Sequence, residues 1–370
     1  MSRTAKSFTI FNAMRKIKLA WILPVLLVVI IKVFSLFPAA VEQYYSNGIY
    51  RSISKFQRII FGWIPFSIGD IVYALAIIYL FVGLVRMVRR MIQKKANRDY
   101  LLGLAKTTVR VGLWVYILFN ILWGLNYNRE GIARQLNLEI KEVKKEEIAK
   151  VMEILVKRVN SYDSLAKLTR EKISDHSFLF EGALASYQSL ATQSSMMNPA
   201  PRSIKPSLFG ALGNYLGYTG YYNPFTGEAQ VNTQVPLFIQ PFTSCHEIGH
   251  QLGYAKENEA NFAGFLSAKC STDPLFLYSL YFDLYAYGRP YLRLSDSMYL
   301  KKLDSQLVVG VRKDFKELKE FYLSHENPIE AVIDKLYGQF LKANQQPAGK
   351  VTYGQVILWL VAYWRENGEL

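Results

Sequence analysis

Three apolar runs dominate the first third of the chain. They lie at about residues 19–37, 66–85 and 108–125, and polar or charged residues border each of them. An α-helix needs about 20 apolar residues to cross a hydrocarbon core that is about 30 Å thick. The pattern therefore predicts three transmembrane helices, which form a membrane domain over residues 1–125. The alternatives are a cleaved signal peptide for the first run and buried core helices for the two shorter runs.

The remaining residues, 126–370, have the pattern of a folded domain outside the lipid. Apolar positions recur at helical spacing over Leu136 to Val159. Residues 207–240 are rich in Gly and Tyr and predict a strand, a turn at Pro224 to Gly227, and a second strand. The last apolar stretch, near residues 353–364, is too short to span a bilayer. The patterns together predict an α+β chain: three N-terminal transmembrane helices, then a mainly helical domain with a small sheet.

The distribution of charge decides how the basic composition is interpreted. The chain has 44 Lys and Arg against 29 Asp and Glu, a formal net charge of +15. Residues 1–125 hold 17 basic and 3 acidic residues, whereas residues 126–370 hold 27 and 26. The excess basic charge therefore flanks the apolar runs and does not form a patch on a folded domain. This distribution indicates a lipid bilayer as partner and argues against nucleic acid.

The basic residues also predict an orientation. By the positive-inside rule, the two basic segments 1–18 and 86–110 belong on the cytoplasmic side. Residues 38–65 are expected to form a loop, and with only three basic residues this loop belongs outside. Three spans then place residues 126–370 outside as well.

The candidate chemistry lies in residues 246–250, which have the pattern H-E-x-x-H. Residues four apart share one face of a helix, so His246 and His250 can offer two imidazoles to one metal ion. Glu247 lies about 100° around the helix, within reach of a water on that metal. A zinc hydrolase needs two nitrogen ligands, a carboxylate base and an open coordination position, and this pattern supplies all three.

A catalytic zinc site usually has a third protein ligand, which we expect shortly downstream. Gly253 can end the first helix in a left-handed conformation. A second helix over Glu257 to Ala268 would then present a carboxylate back to the metal. On the residues alone, Glu257 and Glu259 are both candidates for this ligand.

The motif resembles the gluzincin pattern of zinc metallopeptidases, in which H-E-x-x-H is followed by a segment like E-x-E-A-N at residues 257–261. The resemblance implies a zincin-like domain with Glu247 as the base. It implies one Zn²⁺ per chain with these ligands: His246, His250 and Glu257. Asn261 would support a metal-binding histidine, at a position where many members have Asp. If the gluzincin pattern is aligned two residues later in the sequence, Glu259 becomes the alternative third ligand.

The wider layout resembles an uncharacterised family of bacterial membrane proteins. Its members have three N-terminal spans and a C-terminal domain that carries H-E-x-x-H and E-x-E-A-N-F. This resemblance implies a multi-pass protein of the bacterial inner membrane. With the predicted orientation, the domain over residues 126–370 lies in the periplasm.

The expected function is that of a membrane-anchored zinc metallohydrolase, in the first place a peptidase, that uses a zinc-bound water activated by Glu247. Candidate substrates are peptides, proteins and the amide cross-links of peptidoglycan. Polar residues flank the motif, which favours cleavage at or above the membrane surface over cleavage within the lipid. The alternative is a non-catalytic, membrane-tethered binding or assembly module with a structural or vestigial zinc site.

A strand before the metal helix offers a candidate substrate site. In zinc peptidases of this kind, such a strand borders the cleft and pairs with an extended peptide. The resemblance thereby implies three substrate-binding residues: Ala229, Val231 and Thr233. Strand addition supplies the physical basis, because backbone hydrogen bonds would hold the peptide in line with the metal. A plain sheet edge without a ligand is the alternative interpretation.

Four further residues near the motif have open roles. Cys245 and Cys270 are expected to be inert thiols, and a disulfide between them is the alternative for an extracytoplasmic domain. Tyr287 or Arg289 can stabilise an oxyanion opposite the metal, although core packing is the simpler role for such a tyrosine.

Overall fold

The structure is a computed structural model that describes residues 20–140, 142–194, 197–349 and 354–370. It is mostly helical with one small sheet, as the hydrophobic pattern predicts. The basic segment 1–18, which contributes to the predicted orientation, lies outside the described residues. The N-terminal helices are α1 (Ala20–Phe34), α2 (Pro38–Phe61), α3 (Ile68–Ile92) and α4 (Arg98–Leu122).

Helices α3 and α4, at 25 residues each, are long and apolar enough to cross a membrane. Helices α1 and α2 are long and apolar enough to cross a membrane only when they are taken together, and the chain bends by 102° between them. The described residues thus contain two candidate spans, or three if the bent pair is one broken span. Helices α3 and α4 both continue past the apolar runs into the basic residues that separate them, because Lys and Arg are good helix formers.

Helix α2 occupies most of the segment 38–65, so the expectation of a loop there is wrong. Pro38 stands at the start of the helix, where proline is tolerated, and Val41–Ile49 is π-helical. The Tyr50 hydroxyl donates to the carbonyl oxygen of Gln251 at 2.8 Å. Buried contacts with the C-terminal part of the chain therefore stabilise this helix, and a pattern of local charges does not reveal them.

The C-terminal part of the chain contains eleven described helices. They are α5 (Ile132–Gln135), α6 (Lys145–Thr169), α7 (His176–Ala191), α8 (Gly210–Leu216), α9 (Gln240–Gln251), α10 (Glu257–Ala268), α11 (Pro274–Ser295), α12 (Ser297–Ser305), α13 (Val309–His325), α14 (Pro328–Ala343) and α15 (Val356–Asn367). Short 3₁₀ turns are found at Gly124–Asn128, Arg170–Ser174 and Leu237–Ile239.

Three short strands form the sheet: β1 (Ile204–Pro206), β2 (Gly220–Asn223) and β3 (Glu228–Val231). Strand β3 is central, and it pairs in parallel with β1 and antiparallel with β2. The turn between β2 and β3 occupies residues 224–227, and Gly227 has the positive φ of +69° that favours glycine. The predicted strand, turn and strand are therefore confirmed.

The central place of β3 contradicts the prediction that Ala229, Val231 and Thr233 bind substrate. Ala229 pairs with Ile204 on one side and Tyr222 on the other, so both edges of the strand are already hydrogen-bonded. The side chains of Ala229 and Val231 are 0% exposed, and Thr233 lies beyond the end of the strand. A peptide cannot add to a strand that has no free edge.

Helices α9 and α10 form the centre of the C-terminal core. They pack against each other, and the sheet, α7 and α11 surround them. Every residue of both helices is buried. The H-E-x-x-H motif therefore lies inside the protein rather than on a surface helix.

The first turn of α3 is fixed to the sheet by a buried carboxylate. Glu228 of β3 accepts the backbone N–H of Gly69 at 2.6 Å, and a negative charge at a helix N-terminus is stabilising. The Lys205 ammonium of β1 forms an ion pair with the same carboxylate at 2.5 Å. A candidate span is thus joined directly to the sheet beside the motif.

Candidate metal centre

The turn between α9 and α10 brings the downstream glutamate back to the histidines. Gly253, with a φ of +91°, ends α9 in the left-handed conformation that the sequence predicts. The ring of Tyr50 packs so closely that a Cβ on Gly253 would lie 2.8 Å from it. The chain then reverses, and α10 begins with Glu257 facing α9.

Two imidazoles and one carboxylate converge at a single point. The Nε2 atom of His246 lies 3.3 Å from Oε2 of Glu257, and that of His250 lies 3.4 Å from the same oxygen. All three potential ligand atoms lie within 4.8 Å of one another, and all three residues are buried. The structure thus brings together the three ligands that the gluzincin resemblance implies.

Hydrogen bonds at Nδ1 fix the orientation of both histidine rings. Nδ1 of His250 lies 2.8 Å from the carbonyl oxygen of Tyr254, which can only accept, so this nitrogen carries a hydrogen. Nδ1 of His246 lies 2.7 Å from Oδ1 of Asn261. Nε2 is therefore the ring nitrogen that each histidine presents to Glu257, and metal-ligating histidines are typically held in this way.

The two distances from Oε2 of Glu257 to the histidine nitrogens are compatible with a bound metal ion. A tetrahedral zinc with bonds of about 2.0–2.1 Å holds its ligand atoms about 3.3–3.4 Å apart. Direct hydrogen bonds between charged nitrogen and oxygen are shorter, at about 2.7–2.9 Å. The observed 3.3 and 3.4 Å match the spacing around a tetrahedral ion.

Glu259 is directed elsewhere. Its Oε1 atom lies 3.3 Å from Nζ of Lys256. Its carboxylate packs on Gly131, where a Cβ would lie 2.2 Å from Oε1. Of the two candidate third ligands, Glu257 is the one that the fold places against the histidines.

Glu247 lies beside this cluster with an unsatisfied carboxylate. No described residue forms a hydrogen bond with its Oε2 atom, which is buried. Its other oxygen packs on β2, where a Cβ on Gly220 would lie 2.6 Å from Oε1. Burial raises the pKa of Glu247 to about 8, His250 opposes that rise, and Glu257 adds to it. A buried carboxyl group with a raised pKa is typical of functional sites.

The charges of the cluster shift one another's proton affinity. Burial lowers the pKa of His250, but the Glu257 carboxylate outweighs this effect and raises it to about 9. Burial also lowers the pKa of His246, and for this residue the effect of burial is larger than the opposing effect of the Glu257 carboxylate. Burial raises the pKa of Glu257, but His250 and His246 hold it below its usual range. Glu257 is therefore ionised, as a metal ligand must be.

Three residues that support the cluster were not predicted from the sequence. The Tyr337 hydroxyl donates to Oε1 of Glu257 at 2.7 Å, and Oε1 of Gln346 accepts the backbone N–H of Glu257 at 3.0 Å. Nε1 of Trp123 donates to the carbonyl oxygen of His250 at 3.0 Å. These partners lie far from the motif in sequence, and no spacing rule points to them.

The other residues with open roles have structural partners. Cys245 and Cys270 are free thiols, so the disulfide alternative is wrong. Arg289 forms an ion pair with Asp304 at 2.7 Å, which gives its charge a structural partner. Tyr287 lies near Glu247 and Glu257, whose charges help to raise its pKa after the larger effects of burial and of Asp283.

The cluster opens into a cavity of about 500 Å³. Glu247, Glu257 and both histidines are among the residues that line it. Strand β2, α14 and the two candidate spans α3 and α4 provide the other walls. The arrangement can thus hold a metal ion, a base and a ligand of substantial size in one space.

Comparison with known proteins places this architecture in a family. No curated protein and no solved structure matches the chain. A family model described as "Protein of unknown function (DUF3810)" matches residues 45–361, which include both complete candidate spans and the whole metal cluster. The chain therefore belongs to this family.

Proposed function

We propose that this chain is a membrane-anchored, zinc-dependent metallopeptidase of the gluzincin type. One observation carries the proposal: Nε2 of His246 and of His250 lie 3.3 and 3.4 Å from Oε2 of Glu257, beside Glu247, whose buried Oε2 has no described partner. These three residues would hold one Zn²⁺. When bound, the metal supplies a Lewis acid that polarises a carbonyl group and lowers the pKa of water.

The residues around the metal would have different roles in peptide hydrolysis. Glu247 takes a proton from the attacking water and delivers it to the leaving amine. Asn261 and the carbonyl of Tyr254 fix the orientation of the two imidazoles. Tyr337 holds the ligand Glu257 through its second oxygen.

The same proposal places the site at a membrane surface. We take α3, α4 and the bent pair of α1 and α2 as three spans, and the basic segment between α3 and α4 as cytoplasmic. The C-terminal domain then lies in the periplasm of a bacterial inner membrane. Trp123 follows the last residue of α4 and binds α9, which supports a metal site at the outer end of that span.

Elemental analysis of the purified full-length chain tests the metal site. We expect about one zinc per wild-type chain. Glu257→Ala removes a ligand and should abolish zinc binding, because two imidazoles alone hold the ion weakly. Glu259→Ala is the matched control: it removes a buried carboxylate from the same helix and should leave the zinc in place.

Thermal unfolding of both variants shows whether they are folded. A wild-type chain without zinc after reconstitution would contradict the proposal. The cluster would then be a buried ion-pair network, and the non-catalytic binding module would be the better description. Zinc lost from Glu259→Ala alone would instead move the third ligand to Glu259.

A further inference from the structure

The cavity at the metal cluster extends along a candidate membrane span. Several residues of α4 line it, among them Gly112, Val115 and Phe119. Gly220 and Tyr222 of β2 line it as well. We call the space between these five residues the α4–β2 groove. It connects the site of the proposed chemistry with a helix that is apolar enough to lie in lipid.

The α4 wall of the α4–β2 groove is partly open to the surroundings of that helix. Helices α3 and α4, both described throughout, make little contact with each other. Val115, on the groove wall, is 49% exposed. A chain in the outer half of the bilayer can therefore reach the groove sideways, between the two helices.

Helix geometry gives the depth of the groove. Trp123 joins the end of α4 to the carbonyl oxygen of His250, so the metal cluster is level with that end. Gly112 precedes the last residue of α4, Leu122, by ten residues, which corresponds to about 15 Å along the helix. That distance is about half of a hydrocarbon core of about 30 Å.

The walls of the cavity favour an uncharged, apolar occupant. Apart from His246, His250, Glu247 and Glu257, its lining has no ionisable side chain other than tyrosine among the described residues. A phospholipid headgroup needs a cation for its phosphate, and this lining offers no Lys or Arg.

Strand β2 favours a polypeptide over an acyl chain. It is an edge strand that pairs only with β3, and no described residue hydrogen-bonds its outer edge. An extended peptide can use the free N–H and C=O groups of such an edge, whereas an acyl chain cannot. Gly220 of this strand touches Glu247, so a peptide bound there would pass the base.

We propose that the substrate of this site is a membrane-inserted polypeptide, whose apolar segment occupies the α4–β2 groove and whose peptide bond is cut at the membrane surface. This inference rests on the proposed peptidase function. The reaction consumes one water: the C–N bond breaks, the carbonyl carbon gains the hydroxyl group, and the leaving amine gains the proton.

Metal-binding hydroxamates of different shape test the proposal on the full-length chain in lipid nanodiscs. The chain is loaded with cobalt, and visible absorption reports when a probe reaches the metal. The probes are acetohydroxamate, the hydroxamate of N-acetyl-Leu-Leu-Leu, the hydroxamate of N-acetyl-Glu-Glu-Glu, and dodecanoyl hydroxamate. We expect the trileucine probe to bind at least about tenfold more tightly than each of the others, because it alone fills the groove and pairs with β2.

Gly112→Trp tests the groove itself. Gly112 lines the cavity and a Cβ there meets no atom within 4 Å, so we expect the larger side chain to enter the groove without disturbing the fold. Gly103→Trp is the matched control, because Gly103 lies on the same helix, is equally free of neighbours and does not line the cavity. Gly112→Trp should reduce trileucine binding by about tenfold or more and leave acetohydroxamate binding unchanged. Gly103→Trp should change neither.

The outcomes separate the two proposals. If no cobalt or zinc binds, the peptidase function fails and this inference fails with it. If acetohydroxamate binds but the trileucine probe is no tighter, the metal site stands and the membrane-inserted substrate is wrong. Tighter binding of dodecanoyl hydroxamate would make the occupant an acyl chain and would also overturn the proposal. Equal effects of the two tryptophan variants would remove the groove as the site of binding.

Discussion

The chemistry of single residues in this centre depends on which atom of each side chain is already engaged. His246 and His250 use Nδ1 for internal hydrogen bonds, which leaves Nε2 for a metal. Glu257 uses Oε1 for Tyr337, which leaves Oε2 for the same point. Glu247 has one buried oxygen without a described partner. Nε2 of each histidine and Oε2 of Glu257 thus converge on one point.

Glu247→Gln should separate metal binding from catalysis. The amide keeps the shape of the side chain but cannot take a proton, so we expect zinc content to stay at the wild-type level. Cleavage of a membrane-inserted model peptide in liposomes should fall by about 10²–10⁴-fold. His246→Ala, by contrast, should lose both zinc and cleavage. Hydrolysis retained in Glu247→Gln would remove Glu247 as the base.

Asn261→Ala should weaken zinc binding by about 10–100-fold, because the His246 imidazole loses the partner that orients it. Asn261→Asp is the matched variant, and its carboxylate should hold zinc at least as tightly as the wild type. Competition with a coloured chelator measures both affinities. Equal affinity of Asn261→Ala and the wild type would show that Asn261 does not support the site.

Sequence spacing predicts the residues of the motif but not their supports. His246, His250 and Glu257 follow from helical periodicity, a left-handed glycine and a resemblance, and the structure brings them together. Tyr337 and Trp123 come from distant helices, and nothing near them in sequence marks a metal site. Such contacts arise from tertiary packing, which local patterns do not encode.

Among the structural elements, the tight turn between α9 and α10 determines whether the ligands meet. Gly253 adopts a positive φ, and Tyr50 of α2 leaves no room for a side chain there. The position of Glu257 therefore depends on a glycine that carries no chemistry itself.

Gly253→Ala should lower the free energy of unfolding by about 1–3 kcal/mol, because alanine is strained at this φ and collides with the ring of Tyr50. Thermal unfolding of the full-length chain in detergent measures the effect. Gly83→Ala is the control, since Gly83 has no neighbour within 4 Å and lies within helix α3. A neutral Gly253→Ala would mean that the turn can relax.

The ion pair between Lys205 of β1 and Glu228 of β3 is a second feature that stabilises the structural elements around the cluster. Lys205→Met would leave the Glu228 carboxylate buried without its cation, at a cost of about 3–5 kcal/mol. Adding Glu228→Gln removes the uncompensated charge and should restore part of the loss. Equal stability of the single and double variants, measured by thermal unfolding, would argue against a buried charge at this position.

The elements that the sequence missed are those with weak local signals. Strand β1 has three residues, one of them Pro206, in a proline-rich stretch, so nothing predicts that it covers one edge of β3. Helix α2 has no membrane-like apolar run, and contacts with distant residues stabilise it. The long apolar helices α3 and α4 were predicted because their signal is local.

In the whole molecule, the apolar N-terminal helices and the C-terminal core share buried contacts. Tyr50 of α2 and Trp123 after α4 both hydrogen-bond to the end of α9. Arg129 forms an ion pair with Glu42 of α2 at 2.6 Å and donates to the carbonyl oxygen of Gly253. The candidate metal centre is therefore supported from both parts of the chain.

A fragment of residues 126–370 should fail to retain the metal centre. It lacks Glu42, Tyr50 and Trp123, so Arg129 loses its buried counter-ion and α9 loses two hydrogen bonds. We expect weak near-ultraviolet circular dichroism and less than one zinc per chain. The full-length protein in nanodiscs is the control. A fragment with native-like spectra and full zinc content would show that the C-terminal part folds by itself.

In the proposed enzyme, the hydrogen bond from Trp123 to the carbonyl oxygen of His250 would set the height of the metal above the lipid. An enzyme whose metal lies at a fixed height above the membrane would select the cleavage position by its distance from the membrane rather than by the side chains of the substrate. In the proposed reaction, the cut would fall at a constant number of residues from the point where the substrate leaves the bilayer. Lengthening the apolar segment of a model peptide by three residues should therefore shift the cleavage position by three residues, whatever amino acids flank the bond.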